Sequence, residues 1–95
     1  MRLNLELDPV GIVTKSRAAG ARELLRKLTG LLRRRGMHYL CDPATAKLLG
    51  ERGKSRTLPV LARSVKLLAV LGGDRTLLRV ERNLSRCPVP VLGVC

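Results

Sequence analysis

Val65-Lys66-Leu67-Leu68-Ala69-Val70-Leu71-Gly72-Gly73-Asp74-Arg75-Thr76-Leu77-Leu78 is the stretch whose patterning sets the fold. Its opening run to Leu71 is apolar nearly throughout and does not alternate. That predicts a strand buried on both faces, as in a parallel sheet covered by helices. Gly72-Gly73 ends the strand sharply, and Leu77, Leu78, Val80 and Leu84 continue on a helix to about Arg86. In open parallel sheets, ligands bind beyond the carboxyl ends of the strands, where a helix N-terminus offers unpaired N–H groups to an anion. Two adjacent glycines let the backbone take positive φ and approach a phosphate with no Cβ in the way. Asp74 stands at the mouth of such a site. A carboxylate there could accept a proton from a substrate hydroxyl, help hold Mg²⁺, or simply cap the following helix.

Working outward, Val10-Gly11-Ile12-Val13 is a β-branched run that ends at Thr14-Lys15-Ser16, predicting a first buried strand opening into a loop. Lys15 is expected either to face the ligand crevice or to be solvated. From Ala18 the period changes. Leu24, Leu25, Leu28, Leu31 and Leu32 recur among charged residues, predicting an amphipathic helix that ends at Gly36. Gly30 inside it costs about 1 kcal/mol relative to Ala. Met37 to Cys41 is the second strand candidate. Asp42-Pro43 then sets an N-cap with proline at the first helical position, for a helix reaching Leu49. Gly50 to Thr57 is polar, with nothing to anchor a core, and is expected to be the mobile loop. Pro59 to Ser64 forms a short helix, and Pro90 to Val94 closes as a fourth strand. The order implies right-handed crossovers and a three-layer α/β/α fold around a mainly parallel four-stranded, Rossmann-like sheet. Residues 10–95 form that domain and residues 1–9 precede it. Leu3, Leu5 and Leu7 alternate with polar residues, which fits a sheet-edge strand or a disordered extension.

With 95 residues the chain makes one small domain. Its apolar content is almost wholly Leu, Val and Ala, and Tyr39 is the single aromatic, so the core must be aliphatic. The same shortage of aromatics argues against stacking platforms for single-stranded nucleic acid. Nineteen basic against seven acidic residues give a net charge of +12, which favours phosphate-rich ligands. The densest run, Arg33 to Arg35, fits a solvated helix end, where cations complement the helix dipole, or a docking patch. Cys41, Cys87 and Cys95 are far apart and support neither a disulfide framework nor a zinc site, so a reducing cytoplasm is the expected setting. Met1 to Pro9 carries Arg2, Glu6 and Asp8 rather than a signal-peptide apolar region, and no run approaches the roughly 18 apolar residues of a membrane span. His38, with no His or Cys partner in the sequence, is expected to be structural.

Leu71 to Leu78 resembles the Gly-Gly-Asp-Gly-Thr signature shared by NAD kinases, diacylglycerol and sphingosine kinases, and phosphofructokinases. The flanks single out one of these families. NAD kinases continue Leu-Leu-Arg and end the next strand Pro-Val-Leu-Gly-Val, as Leu77-Leu78-Arg79 and Pro90-Val91-Leu92-Gly93-Val94 do here. Lipid kinases of the group usually have Asn-Glu at Leu77-Leu78. Val10 to Lys15 and Ala21-Arg22-Glu23-Leu24-Leu25 also look like bacterial NAD kinase amino termini.

The resemblance implies transfer of a phosphoryl group from ATP, or polyphosphate, to the adenosine-ribose 2′-hydroxyl of NAD, with Mg²⁺ present. Asp74 matches the proton-accepting aspartate. Gly72, Gly73 and Thr76 match the backbone cradle, Arg75 lies within it, and Arg79 matches a basic residue near the dinucleotide. Arg75 departs from the family glycine. Its Cβ would penalise left-handed backbone angles, and its side chain would occupy phosphate space, bind phosphate or pair with Asp74, with impaired chemistry expected. Cys95 stands where the family has Asn. The family's carboxyl-terminal domain follows that point, so a truncated domain is expected, incomplete alone and inclined to self-associate through its sheet edge or missing-domain surface. The rival readings are a basic nucleic-acid-binding module, disfavoured by the lack of any recognition motif, and a non-catalytic nucleotide-binding fragment.

Overall fold

The computed structural model describes residues 6–15, 20–84 and 88–94. In chain order the described elements are β1 (Val10–Thr14), α1 (Ala21–Arg34), β2 (Tyr39–Cys41), α2 (Pro43–Leu49), a 3-10 turn at Arg52–Lys54, α3 (Leu58–Ser64), β3 (Leu67–Leu71), α4 (Asp74–Asn83) and β4 (Val91–Val94). The strands form one parallel sheet in the order β2-β1-β3-β4. From β1 the chain steps to one side, and β3 and β4 then extend the sheet on the other. The carboxyl ends of β1 and β3 therefore flank the point where strand order reverses, the position at which such sheets bind ligands.

Successive side chains of the central strands point to opposite faces. On one face Val10, Ile12, Ala69 and Leu71 pack with Leu25 and Leu32 of α1 and Ala46 of α2. On the other, Val13, Leu68 and Val70 pack with Leu61 of α3 and Val80 of α4. This is the expected three-layer arrangement. Leu25 and Leu61, fully buried, anchor the two layers, each contributing about 1.5–3 kcal/mol of transfer energy. Gly11 pairs with Leu68 across the sheet and lies beneath the side chains of Leu68 and Val65. A Cβ there would lie 2.7 Å from Leu68 Cδ1 and 2.9 Å from Val65 Cγ2, both on buried side chains.

Local chemistry accounts for the helix ends. The Asp42 carboxylate accepts from the Thr45 amide at 3.2 Å, Pro43 takes the first helical position of α2, and Gly50 closes it with φ 72°. Helix α1 has Glu23 in its first turn and Arg33 and Arg34 in its last, the arrangement its dipole favours. The expected start at Ala18 falls outside the described residues, as do positions 1–5 and 85–87.

Three expectations need correction. The strands are shorter than their apolar runs: β2 begins at Tyr39 rather than Met37, and β3 at Leu67 rather than Val65. Met37 and Val65 are buried all the same, since hydrophobic packing continues past the last ladder bond. His38 precedes β2 and is exposed; it meets Asp8, whose carboxylate accepts from the His38 amide at 2.6 Å and lies 3.0 Å from Nδ1.

The segment from Gly50 to Thr57 is tied down rather than loose. The Arg56 amide donates to the Cys41 carbonyl at 2.8 Å, and Ser55 bridges Cys41. The Tyr39 hydroxyl reaches Glu51 Oε2 at 2.7 Å, Arg33 Nη2 donates to Glu51 Oε1 at 3.1 Å, and Lys54 Nζ stands 4.3 Å from the Tyr39 ring centroid. Polar side chains supply the anchoring that the lack of hydrophobes seemed to rule out. Arg33 also donates to the Tyr39 hydroxyl at 2.7 Å, so part of the basic run at the end of α1 is engaged within the fold.

Candidate functional site

The parallel register brings Thr14 opposite Leu71, and Leu71 opposite Val94. The Lys15 amide donates to the Leu71 carbonyl at 3.1 Å and the Gly72 amide to the Val94 carbonyl at 3.0 Å. The ladder thus runs to the rim of the sheet, and the chain leaves β3 there through Gly72 and Gly73 before turning into α4. Gly72 has φ 137°, and a Cβ on it would lie 3.1 Å from Lys15 Cβ and 3.3 Å from Thr76 Oγ1. It is a position that only glycine fills without strain.

Gly73 differs from the expectation of two positive-φ glycines. Its φ is −88°, it is the N-cap of α4, and a Cβ there would meet no atom within 4 Å. What glycine preserves at 73 is open space above the turn. The carbonyl of Gly73 accepts from the amides of Thr76 at 3.1 Å and Leu77 at 3.4 Å. The preceding amides of the first turn have no intrahelical acceptor, as at any helix start. Asp74 is the first residue of the helix, not its cap, so the simple capping role passes to Gly73. The side chain of Asp74 lies outside what the structure describes.

Arg75 is the second residue of α4, and among the described residues no residue other than glycine has positive φ. The anticipated left-handed strain at Arg75 therefore does not arise, because a helical backbone accepts any L side chain. What the substitution changes is the contents of the adjoining space. A cleft of about 300 Å³ opens there, lined by Thr14, Lys15, Ala44, Arg75, Thr76 and Arg79. It brings together Arg75, Thr76 and Arg79 from the expected set and assigns Lys15 to the crevice. A neighbouring hollow of about 420 Å³ shares Ala44 and adds Arg22, Lys47 and Leu48.

Arg79 Nη2 stands 3.9 Å from Asp42 Oδ2, linking α4 to the residue that caps α2. Thr14 was missed in the sequence. It is 1% exposed, its amide donates to Thr45 Oγ1 at 2.8 Å, and its own hydroxyl has no hydrogen-bond partner among the described residues. The available signal was a hydroxyl residue closing an otherwise aliphatic strand directly before a lysine.

The titratable groups away from the cleft are explained by the fold. Burial, with help from Asp42 and Glu51, pushes the Cys41 thiol up to about 12, which leaves it a packed side chain rather than a nucleophile. Hydrogen bonding from His38 holds the Asp8 carboxyl below its ordinary value. Desolvation and then Glu51 raise Tyr39 above its own. The described residues contain no group of three His, Cys, Asp or Glu side chains able to cage a metal ion. Among them no helix is long and apolar enough to cross a membrane.

The sequence matches known proteins along nearly its whole length. The family model described as ATP-NAD kinase N-terminal domain matches residues 10–95. The NAD kinase of Oleidesulfovibrio alaskensis is 38% identical over 92 residues, which are 97% of this chain and 29% of that protein. The NAD kinase of Syntrophotalea carbinolica is 34% identical over 85 residues, 90% of this chain and 30% of that protein. The NAD kinase of Burkholderia thailandensis is 28% identical over 95 residues, 99% of this chain and 32% of that protein. The chain thus spans about a third of the length of the curated relatives it matches.

Proposed function

The chain belongs to the ATP-NAD kinase amino-terminal domain family, and from that premise we propose that it supplies the phosphate-binding wall of an NAD kinase site. The single observation that carries this reading is the cleft at the strand-order reversal, where Lys15, Arg75 and Arg79 gather with Thr76 at the start of α4, beside the turn in which Gly72 lies against Lys15 and Thr76. In the proposed reaction the 2′-hydroxyl of the adenosine ribose of NAD attacks the terminal phosphorus of ATP or polyphosphate. The hydroxyl O–H bond breaks as Asp74 takes the proton, the new P–O bond forms, and the donor's bridging P–O bond breaks to release the shortened phosphate.

Each residue at the rim has a part in that scheme. Gly72 and Gly73 let phosphate oxygens approach the amides at the start of α4, and the helix dipole favours the anion there. Lys15, Arg75 and Arg79 offset the charge that develops on the transferring group. Thr76, 6% exposed, packs beneath the turn against Gly72 and holds its shape. Any divalent ion would come with the phosphates it neutralises, which is the usual habit of Mg²⁺. The proposed setting is the cytoplasm, in keeping with the free, buried Cys41.

Thermal unfolding with and without millimolar NAD tests the assignment, because a ligand held only by the folded state stabilises it by about 2.7 kcal/mol at a hundredfold excess over Kd. A rise in Tm that saturates with NAD is expected. An unchanged Tm for the folded domain would remove the assignment.

A further inference from the structure

We infer that Asp42 is a positioning residue for the cleft: its carboxylate caps α2 with one oxygen and with the other steers the Arg79 guanidinium for the anionic part of the ligand. The inference rests on the nucleotide-site reading above and adds to it a residue outside the lining of the cleft. Asp42 directly follows β2 and is 6% exposed. Its Oδ1 accepts from the Thr45 amide at 3.2 Å, and its Oδ2 faces Arg79 Nη2 at 3.9 Å. Capping accounts for the first contact only. A neutral Asn or Ser caps a helix about as well as Asp does, whereas a carboxylate withdrawn from water is the costlier choice unless a cation answers it. The Asp42 side chain is 8% exposed and the Arg79 side chain 57%. The pair is thus fixed at its acidic end and open to the cleft side at its basic end.

The frame that carries the carboxylate is itself fastened. The Asp42 amide donates to the Ile12 carbonyl at 3.3 Å, and the Asp42 carbonyl accepts from the Ala46 amide at 3.0 Å. Thr45 in the same turn accepts from the Thr14 amide at 2.8 Å, so the first turn of α2 is bound to the end of β1. Asp42 extends that frame to α4, where Arg79 lies one turn beyond Arg75 and lines the cleft with it. A guanidinium has five N–H donors, and a contact through Nη2 leaves others for phosphate oxygens. A long side chain loses rotamer freedom when it grips a ligand, and an arginine already steered by a carboxylate has less to lose. Removing the charge of Asp42 has two opposed consequences. Coulomb's law alone makes a cleft relieved of a nearby carboxylate bind anions more tightly; loss of a positioned guanidinium makes it bind them more weakly.

The test takes Asp42→Asn and Asp42→Ser, both neutral capping residues, in the full chain. Relaxation of the arginine ¹⁵Nε–Hε groups reads the order of Arg79, with Arg79→Lys identifying its signal and the exposed Arg63 of α3 as the reference. Arg79 is expected to be more rigid than Arg63 in the parent and to loosen to the level of Arg63 in both variants, while an unmoved Thr45 amide signal shows the cap intact. Calorimetric titration with NAD is expected to give affinities about threefold to tenfold weaker in both variants. Arg79 as mobile as Arg63 in the parent, an unchanged Arg79 in both variants, or NAD bound by them as tightly as by the parent or more so would overturn the inference, and each leaves the kinase reading standing where the parent binds NAD. An Arg79 that loosens in both variants, with no NAD bound even by the parent, defeats the kinase reading and supports the positioning contact.

Discussion

The Thr45 hydroxyl oxygen lies 2.8 Å from the Thr14 amide nitrogen, joining the last residue of β1 to the first turn of α2. The pairing of β1 with β2 has ended at Ile12 and Cys41, so the Thr14 amide has no strand neighbour on that side. Thr45, fully buried, takes the acceptor's place and fixes the rim of the sheet beside the cleft.

Thr45→Val should therefore leave a buried N–H unpaired and cost about 1–3 kcal/mol, read as a lower urea midpoint with an unchanged slope. Thr45→Ser should recover most of the loss. A valine variant as stable as the parent would show that the contact contributes nothing.

Gly11 makes a separate, steric prediction. Gly11→Ala places a methyl group against Val65 and Leu68 in a packed layer, and overpacking of this kind costs about 1–3 kcal/mol. Chemical denaturation measures it directly. Combining Gly11→Ala with Val65→Ala should return part of the stability, and a purely additive double variant would contradict the contact.

Cys41 yields a pH-dependent expectation. Burial pushes its folded value up to about 12, above the ordinary thiol value of 9.0, so keeping the thiol neutral contributes stability that is complete below about 9. That contribution is lost as pH rises towards 12. In a variant with Cys87→Ser and Cys95→Ser, a thiol reagent at pH 8 should label Cys41 on the order of a hundred times more slowly in the native state than in urea. Equal rates would place the thiol at the surface.

The Arg33, Tyr39 and Glu51 side chains hold the segment after α2 in place. Tyr39→Phe should cost about 0.5–1.5 kcal/mol for the lost hydroxyl bonds. It should also speed hydrogen exchange at Ser55 and Arg56 severalfold while leaving the amides of β3 unchanged. Uniform acceleration across the sheet would indicate global loosening and refute a local anchor.

The strands and helices were legible in the sequence because their signals are local: an unbroken aliphatic run at β3, helical spacing in α1, and Asp42-Pro43 before α2. The glycine turn was legible for the same reason, since adjacent glycines between a strand and a helix leave few alternatives. Two features were not. The anchoring of Glu51 and Ser55 depends on Tyr39 and Cys41, ten or more residues away, and a polar segment carries no trace of such partners. The part of Thr14 in the cleft depends on strand register and on α2, both tertiary. The backbone at Arg75 was misjudged because a family glycine suggested left-handed angles at a place where the helix has already begun.

The most direct test is an NMR titration of the ¹⁵N-labelled domain with NAD, read as amide shift changes along the chain. The account predicts saturable changes that are largest at Lys15, Gly72, Gly73 and Thr76, and weak in the Asp74→Asn variant only where Asp74 itself is involved. Largest changes along β4 or the exposed face of α1, with the glycine turn silent, would contradict it.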